Sequence, residues 1–277
     1  MDTPTVREHW SYSSLNQLLN ICSLQWAFQR LYRLTPEFKP ASLSFGSAFH
    51  RTLEWVAHSR KEGITPKAKD ASALFDDLWR RQLEEDGEVR FAEEEDADTL
   101  STQGQGMTAC VIEHTDPEER MLEVNRSFCV PLVDAAGEAL EKPMVGEMDC
   151  LVEKGSEKII VDWKSSAKRW PADKALKDLQ PTTYLYAASL LMPEQSIRSF
   201  RFDVVTKTKT PAFEQYLTMR TPDQFQRLVA LAKVAERLVQ HELFYPAEQS
   251  FYCSGCGFQG ACKAWHRAQS RTVSLAA

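Results

Sequence analysis

Asp149, Asp162 and Lys164 stand close together in the segment VGEMDCLVEKGSEKIIVDWKSS. The segment reads as two strands, 144–153 and 158–163, joined by a tight turn at Gly155–Ser156. Folding the strands antiparallel brings Asp149 toward Asp162, and Asp162 and Lys164, two residues apart, project from one face. Two carboxylates and a lysine on one sheet face repel or pair wastefully unless something binds between them. A divalent cation fits, because Mg²⁺ or Mn²⁺ prefers hard oxygen ligands and needs only a few carboxylates. The lysine would then orient or help deprotonate an attacking water and offset charge developing on a phosphate. His50, on a predicted helix in FGSAFHRTLE, would add an imidazole and favour Mn²⁺ alongside Mg²⁺. An acidic-x-Lys triplet is common by itself, and Glu37-x-Lys39 is another. The context separates Asp162-x-Lys164 from it: Gly146-x-x-Asp149 before, the apolar run IIV leading into Asp162, and Gln180-x-x-x-Tyr184 on the following helix.

Cysteine is the second reactive residue type. There are seven, an odd number, and the opening MDTPTVREHW has no export signal, so a disulfide framework is not expected. Cys110, Cys129 and Cys150 stand singly among apolar or strand-like residues and read as small buried hydrophobes. Cys253-x2-Cys256-x5-Cys262, in FYCSGCGFQGAC, has metal-ligand spacing, with Cys22 on the first predicted helix as a fourth thiol. Four thiolates suit either Zn²⁺ or an iron–sulfur cluster. Either would close 231 residues between Cys22 and Cys253, a loop entropy of roughly 5 kcal/mol.

These groups need elements to hold them. Leu15, Leu18, Leu19, Cys22 and Trp26 recur at helical spacing, with Ser13 or Ser14 as the cap. Thr35 to Pro40 breaks that helix, and a second runs from about Phe45 to Arg60. Further helices are predicted at 71–86 and 99–114, flanking a solvated loop at 87–98. After Pro117 the texture becomes β-rich: 121–133, then the two strands above, a helix at 173–192, strands at 197–205 and 212–219, and a long helix from Thr221 to about Leu243. A Cys- and Gly-rich loop runs from Pro246 to Cys262. The pattern is one α/β core with a helical N-terminal elaboration.

Composition narrows the class of protein. With 277 residues, 43% hydrophobic and 26% charged, the chain has globular composition and no apolar run near membrane-spanning length. The expected setting is soluble and cytoplasmic, without a membrane. Net charge is −6, yet residues 70–98 hold 12 acids against 3 bases, so the remainder carries +3. Net charge therefore does not exclude a nucleic-acid partner.

Taken in order, His50, Gly146-x-x-Asp149, Asp162-x-Lys164 and Gln180-x-x-x-Tyr184 resemble the RecB family of PD-(D/E)xK nucleases. That group includes the RecB and AddB nuclease domains and the CRISPR-associated adaptation nucleases. The resemblance runs from Tyr12 to Cys262. It implies a restriction-endonuclease-like α/β fold in which a central mixed sheet is flanked by helices. The helical N-terminal part (1–116), nuclease core (117–245) and C-terminal Fe–S cysteine loop and tail (246–277) would form one nuclease domain. It implies His50, Asp149, Asp162 and the Trp163 carbonyl as metal ligands, Lys164 as the catalytic lysine, and Gln180 and Tyr184 as residues that place DNA. Iron–sulfur members pair one upstream cysteine with a C-terminal Cys-x2-Cys-x5-Cys, which implies a [4Fe–4S] cluster on Cys22, Cys253, Cys256 and Cys262. Family members often have Pro after the first cysteine, where this chain has Ser23.

The implied activity is Mg²⁺- or Mn²⁺-dependent DNA exonuclease action on single strands or ends, in recombination, repair or CRISPR spacer acquisition. The alternative is a non-catalytic DNA-binding or scaffold subunit of a larger complex; loss of Asp149, Asp162 or Lys164 would have favoured it, and all three are present. No Gly-x4-Gly-Lys-Ser/Thr loop occurs, so unwinding would need a partner helicase, with adaptation proteins the other expected partners. Single-stranded DNA would stack on Trp170 or Tyr184 beside Lys168, Arg169, Lys174 and Lys177.

Overall fold

Apolar alternation through residues 144–163 builds the centre of a six-stranded mixed sheet, in a computed structural model that describes residues 9–248 and 250–274. The helices in chain order are α1 (Tyr12–Asn16), α2 (Ser23–Trp26), α3 (Ala41–Lys61), α4 (Ala68–Asp86), α5 (Ala97–Glu113), α6 (Lys174–Lys177), α7 (Gln180–Leu191), α8 (Pro222–Gln240) and α9 (Gln259–Ser274). The strands are β1 (Trp10–Ser11), β2 (Lys39–Pro40), β3 (Val89–Arg90), β4 (Arg120–Val130), β5 (Met144–Lys154), β6 (Glu157–Ser166), β7 (Ser199–Thr206) and β8 (Phe213–Met219). The mixed sheet flanked by helices is the fold the sequence led us to expect.

The pairing around β5 creates the cleft. β4 lies antiparallel along one edge of β5. On the other edge β6 pairs only as far as Cys150–Val161, while β1 pairs at Met144 and Val145. Because a strand has two edges, β1 and β6 share that second one, and β5 is left open between them at 146–149. Beyond, β6 runs parallel to β7, and β8 closes the sheet antiparallel. Cys150, Val152, Ile159, Val161 and Trp163 face the layer of α3, α4 and α5. Leu151, Ile160, Phe200, Phe202 and Val204 face α7, α8 and the N-terminal segment.

Several local expectations need correction. The N-terminal helix is capped by Ser11, whose Oγ accepts from the Ser14 amide at 3.2 Å, rather than by Ser13 or Ser14. It is interrupted by π-helical turns at Gln17–Ile21 and Ala27–Leu31, and Cys22 sits between segments in extended conformation (φ −166°), as the N-cap of α2. α3 begins at Ala41, straight after Pro40, whose ring-fixed φ of −61° suits the entry to a helix. The helix expected over 173–192 divides into α6 and α7, because Pro181 has no amide to continue the ladder; the Gln180 amide instead donates to Asp178 Oδ1 at 2.9 Å. The 87–98 stretch is largely exposed but tied down: β3 pairs with β2, and Glu95 meets Lys207 at 2.6 Å. After a 3₁₀ turn at Phe251–Cys253 the expected cysteine loop becomes α9, which carries Cys262. Cys110 and Cys150 are buried, but Cys129 is exposed, since Phe128 and Val130 on either side take the inward positions.

Candidate active site

Asp149 occupies the open edge of β5. With no ladder partner there, its side chain replaces one: Oδ2 accepts the Trp163 amide of β6 at 2.9 Å. The same oxygen lies 3.3 Å from His50 Nδ1, which α3 delivers from the opposite layer. His50 also meets the Trp163 ring edge-on at 6.3 Å. One strand over, Asp162 is 1% exposed. Its Oδ1 accepts from Gln180 Nε2, and its Oδ2 is ion-paired with Lys164 Nζ at 2.5 Å. The structure thus brings His50, Asp149, Asp162, Trp163, Lys164 and Gln180 to one cleft. Tyr184, a turn beyond Gln180, is buried and packs edge-on against Phe128 at 5.6 Å. Gly146 has its reason here: a Cβ on it would lie 2.5 Å from Phe128 Cζ, so only glycine lets that ring cross β5 and reach Tyr184.

The charges are unequal by design of their surroundings. Burial pushes the Asp162 carboxyl up to about 6, against the pull of Lys164. Burial also acts on Asp149, but the His50 hydrogen bond and charge, with Lys164 behind them, hold it below the usual carboxylate range. His50 is moved up: burial opposes its charge, and Asp149 outweighs burial. Lys164 is raised likewise, its burial overcome by Asp162 and Asp149, so it is an ammonium in this state. Two neighbouring acids pushed apart in this way is a recurring property of catalytic pairs.

Among the described residues no group of three or more His, Cys, Asp or Glu stands ready-made around a single metal ion. At the cleft the reason is visible: Asp162 is turned onto Lys164 and Gln180, and Asp149 onto His50 and Trp163. The donor set nevertheless fits a hard divalent cation. Gln180 Oε1 is buried without a hydrogen-bond partner. The buried Asp162 carboxylate has its Oδ2 against Lys164 Nζ, so that with Lys164 moved aside it would offer a cation an oxygen that burial leaves otherwise unpaired.

Some residues of the cleft carried no sequence signal. The Tyr12 hydroxyl bonds to Asp178, and burial followed by the Asp178 charge raises it far above an ordinary phenol. Arg220 holds the turn before α7 by donating to the carbonyls of Ala175 (2.8 Å) and Asp178 (3.0 Å). Of the expected stacking platforms, Tyr184 presents almost no free ring. Trp170 lies against Phe202 and Tyr216, with Lys174 Nζ 3.8 Å from its ring centroid. Arg169 pairs with Glu214 at 3.0 Å and Lys177 with Asp173.

The four singled-out thiols also meet. Cys22, Cys253, Cys256 and Cys262 line one pocket of about 320 Å³, walled by Leu24, Phe28 and Phe258. Gln25 touches two of them, its amide 3.4 Å from Cys22 Sγ and its Nε2 3.6 Å from Cys256 Sγ. Ser23 performs the joining that a proline could not. Its Oγ donates to the Tyr245 carbonyl at 3.1 Å and accepts from the Tyr245 amide at 2.9 Å, tying the N-terminal segment to the chain leading into the cysteines.

The model of the PD-(D/E)XK nuclease superfamily matches residues 9–263, and the chain belongs to that superfamily. Its fold is similar to the crystal structure of an inferred exonuclease from Eubacterium rectale, at TM-score 0.52 and 15% identity over 90% of this chain and 88% of the other. That likeness establishes the shared fold. The crystal structure of SSO0001 aligns at TM-score 0.32 and 13% identity, over 89% of this chain and 90% of that one, too low to carry an argument. No curated protein matches the chain. PD-(D/E)XK nucleases typically use divalent metals. Among the described residues, no helix is long and apolar enough to cross a membrane.

Proposed function

We propose that this protein is a Mg²⁺- or Mn²⁺-dependent DNA exonuclease, acting on single strands or ends, with a structural [4Fe–4S] cluster. The observation that carries the nuclease reading is the convergence of Asp149, Asp162 and Lys164 beside the stretch of β5, 146–149, that β1 and β6 leave open on their shared edge. Asp149, Asp162 and His50 would hold the cation, with the Trp163 carbonyl as a further ligand. A bound divalent cation would supply Lewis acidity toward the scissile phosphate and make nearby water more acidic. Lys164 would leave its pairing with Asp162, orient the attacking water and balance charge as the phosphate becomes pentacovalent. Gln180 would keep Asp162 pointed into the cleft, and Tyr184 would support Gln180 from behind while the DNA is placed.

Support for the cluster comes from the pocket. A single Zn²⁺ sits about 2.3 Å from each of four sulfurs, whereas an iron–sulfur cluster needs more room beside its thiolates. The pocket of about 320 Å³ that the four thiols share with neighbours such as Pro246 and Gln259 has room for such a group, and the Gln25 N–H contacts suit its thiolates. The cluster would fasten the N- and C-terminal segments across the nuclease core. The setting we favour is cytoplasmic DNA repair, recombination or spacer acquisition, with a helicase or adaptation protein as partner.

Incubation with end-labelled single- and double-stranded DNA plus Mn²⁺ or Mg²⁺ tests the activity. Progressive release of short products that stops with EDTA is expected; intact DNA under every metal condition overturns the reading. Iron and sulfide analysis of anaerobically purified protein tests the cluster separately. About four irons per chain are expected, and zinc or no metal would overturn that part alone.

A further inference from the structure

Among the described residues, five non-glycine positions have positive φ, and four of them lie in turns or just past helix ends. Asn125 (φ +53°) is the exception, in the middle of β4. An L-residue in left-handed conformation inside a strand is costly, and Asn is among the few side chains that tolerate it. Its location gives that cost a meaning. Val124 pairs with Cys150 and Arg126 with Met148, so Asn125 stands directly across from Asp149.

The side-chain pattern inverts at this point in both strands. Before it, Val124 and its partner Cys150 pack in the α3–α5 core, as does Val152. Beyond it, Phe128, Val130, Met144 and Met148 pack in the opposite core, although strict alternation would keep Met148 on the same face as Cys150. The register slips once, between Met121 and Glu123, but not between Val124–Cys150 and Arg126–Met148, so the inversion at Asn125 is a local twist of the two strands and not an inserted residue. Its axis is the Asn125–Asp149 pair. On the far side of Asp149 the β6 ladder ends at the same step.

We propose that Asn125, through its left-handed backbone, is the positioning residue that rotates Asp149 out of regular sheet geometry and into the cleft between β1 and β6. This inference rests on the nuclease reading of Asp149. A regular strand residue at 125 would carry the alternation through and swing Asp149 away from His50 and the Trp163 amide. The conformation, rather than the amide side chain, does the positioning.

Three variants separate those terms: Asn125→Gly, which adopts φ > 0 freely, Asn125→Ala, which resists it, and β-branched Asn125→Val, which resists it most. The readouts are Mn²⁺ affinity by electron paramagnetic resonance, kcat and KM on end-labelled DNA, and thermal stability. Residues that orient metal ligands typically govern affinity by about 10–100-fold. Asn125→Gly should keep Mn²⁺ affinity within about threefold of the parent, and Asn125→Ala should lose about tenfold while staying folded. Asn125→Val should lose more, with the fall in kcat exceeding any change in KM. If Asn125→Ala binds Mn²⁺ and cleaves like the parent, or if Asn125→Gly loses as much as Asn125→Ala, the proposal is overturned. A parent protein that neither binds Mn²⁺ nor cleaves DNA would overturn the nuclease reading instead, so the two failures are distinguishable.

Discussion

Replacing Asp162 by Asn should yield a protein that is inactive yet, without metal, more stable than its parent at pH 8. The side chain is 1% exposed, and burial raises its carboxyl from 3.8 to about 6 despite Lys164 nearby. An acid whose pKa rises on folding is one whose charge the fold disfavours, so ionisation subtracts stability. The loss is absent below the unfolded pKa, grows as pH passes from about 4 to 6, and is complete above that. The interval corresponds to about 3 kcal/mol at pH 8 and roughly half of that at pH 5. At about 2–4 °C per kcal/mol for a chain near this size, the gain at pH 8 is about 6–12 °C in Tm. Asn keeps the shape and can still accept from Gln180 Nε2, and Lys164 keeps Asp149 as a negative neighbour. The assay is thermal unfolding by circular dichroism of both metal-free proteins at pH 8 and pH 5. Addition of Mn²⁺ should raise the parent's Tm and leave the variant's unchanged, narrowing the gap. A metal-free variant less stable than the parent at pH 8, or a gap equal at both pH values, would refute the view that Asp162 is held ready for a cation.

Three further outcomes follow from other contacts. Ser23→Ala removes both hydrogen bonds to Tyr245 and should cost about 1–3 kcal/mol, read as a lower Tm whether or not iron is present. Gly146→Ala drives a methyl into Phe128; overpacking of this kind costs about 1–3 kcal/mol, and cleavage should fall with it because Phe128 braces Tyr184. Alanine at Cys22, Cys253, Cys256 or Cys262 should abolish the iron absorbance near 400 nm, whereas alanine at Cys110, Cys129 or Cys150 should leave it, measured by spectrum and iron content.

What could be read from the chain alone was whatever depends on short-range order. Asp162 and Lys164 share a strand face because of a two-residue period, and Gly155, with φ +60°, makes the turn that its glycine announces. The break before Gln180 was equally available in Pro181, but the continuous apolar pattern on either side concealed it. Features set by distant contacts were not legible. Cys22 leaves the helix because Ser23 and Leu24 bond to Tyr245, more than 200 residues away. The helical character of α9 was hidden by Gly255, Gly257 and Gly260, of which Gly257 lies against Phe38 and Gly260 against Glu37. The inversion at Asn125 and Asp149 left no mark on a period-two reading, since each half of β5 alternates correctly by itself.

The central claim is that Asp149, Asp162 and Lys164 form the nuclease centre, and Lys164→Ala tests it most directly. At the cleft, Lys164 is 29% exposed, so its removal opens no core cavity. With Mn²⁺ and end-labelled DNA in single-turnover conditions, the variant should bind both metal and DNA but cleave about 10²–10⁴-fold more slowly than the parent, the usual contribution of a proton-handling side chain. Cleavage by a folded Lys164→Ala protein at the parent's rate would contradict the account.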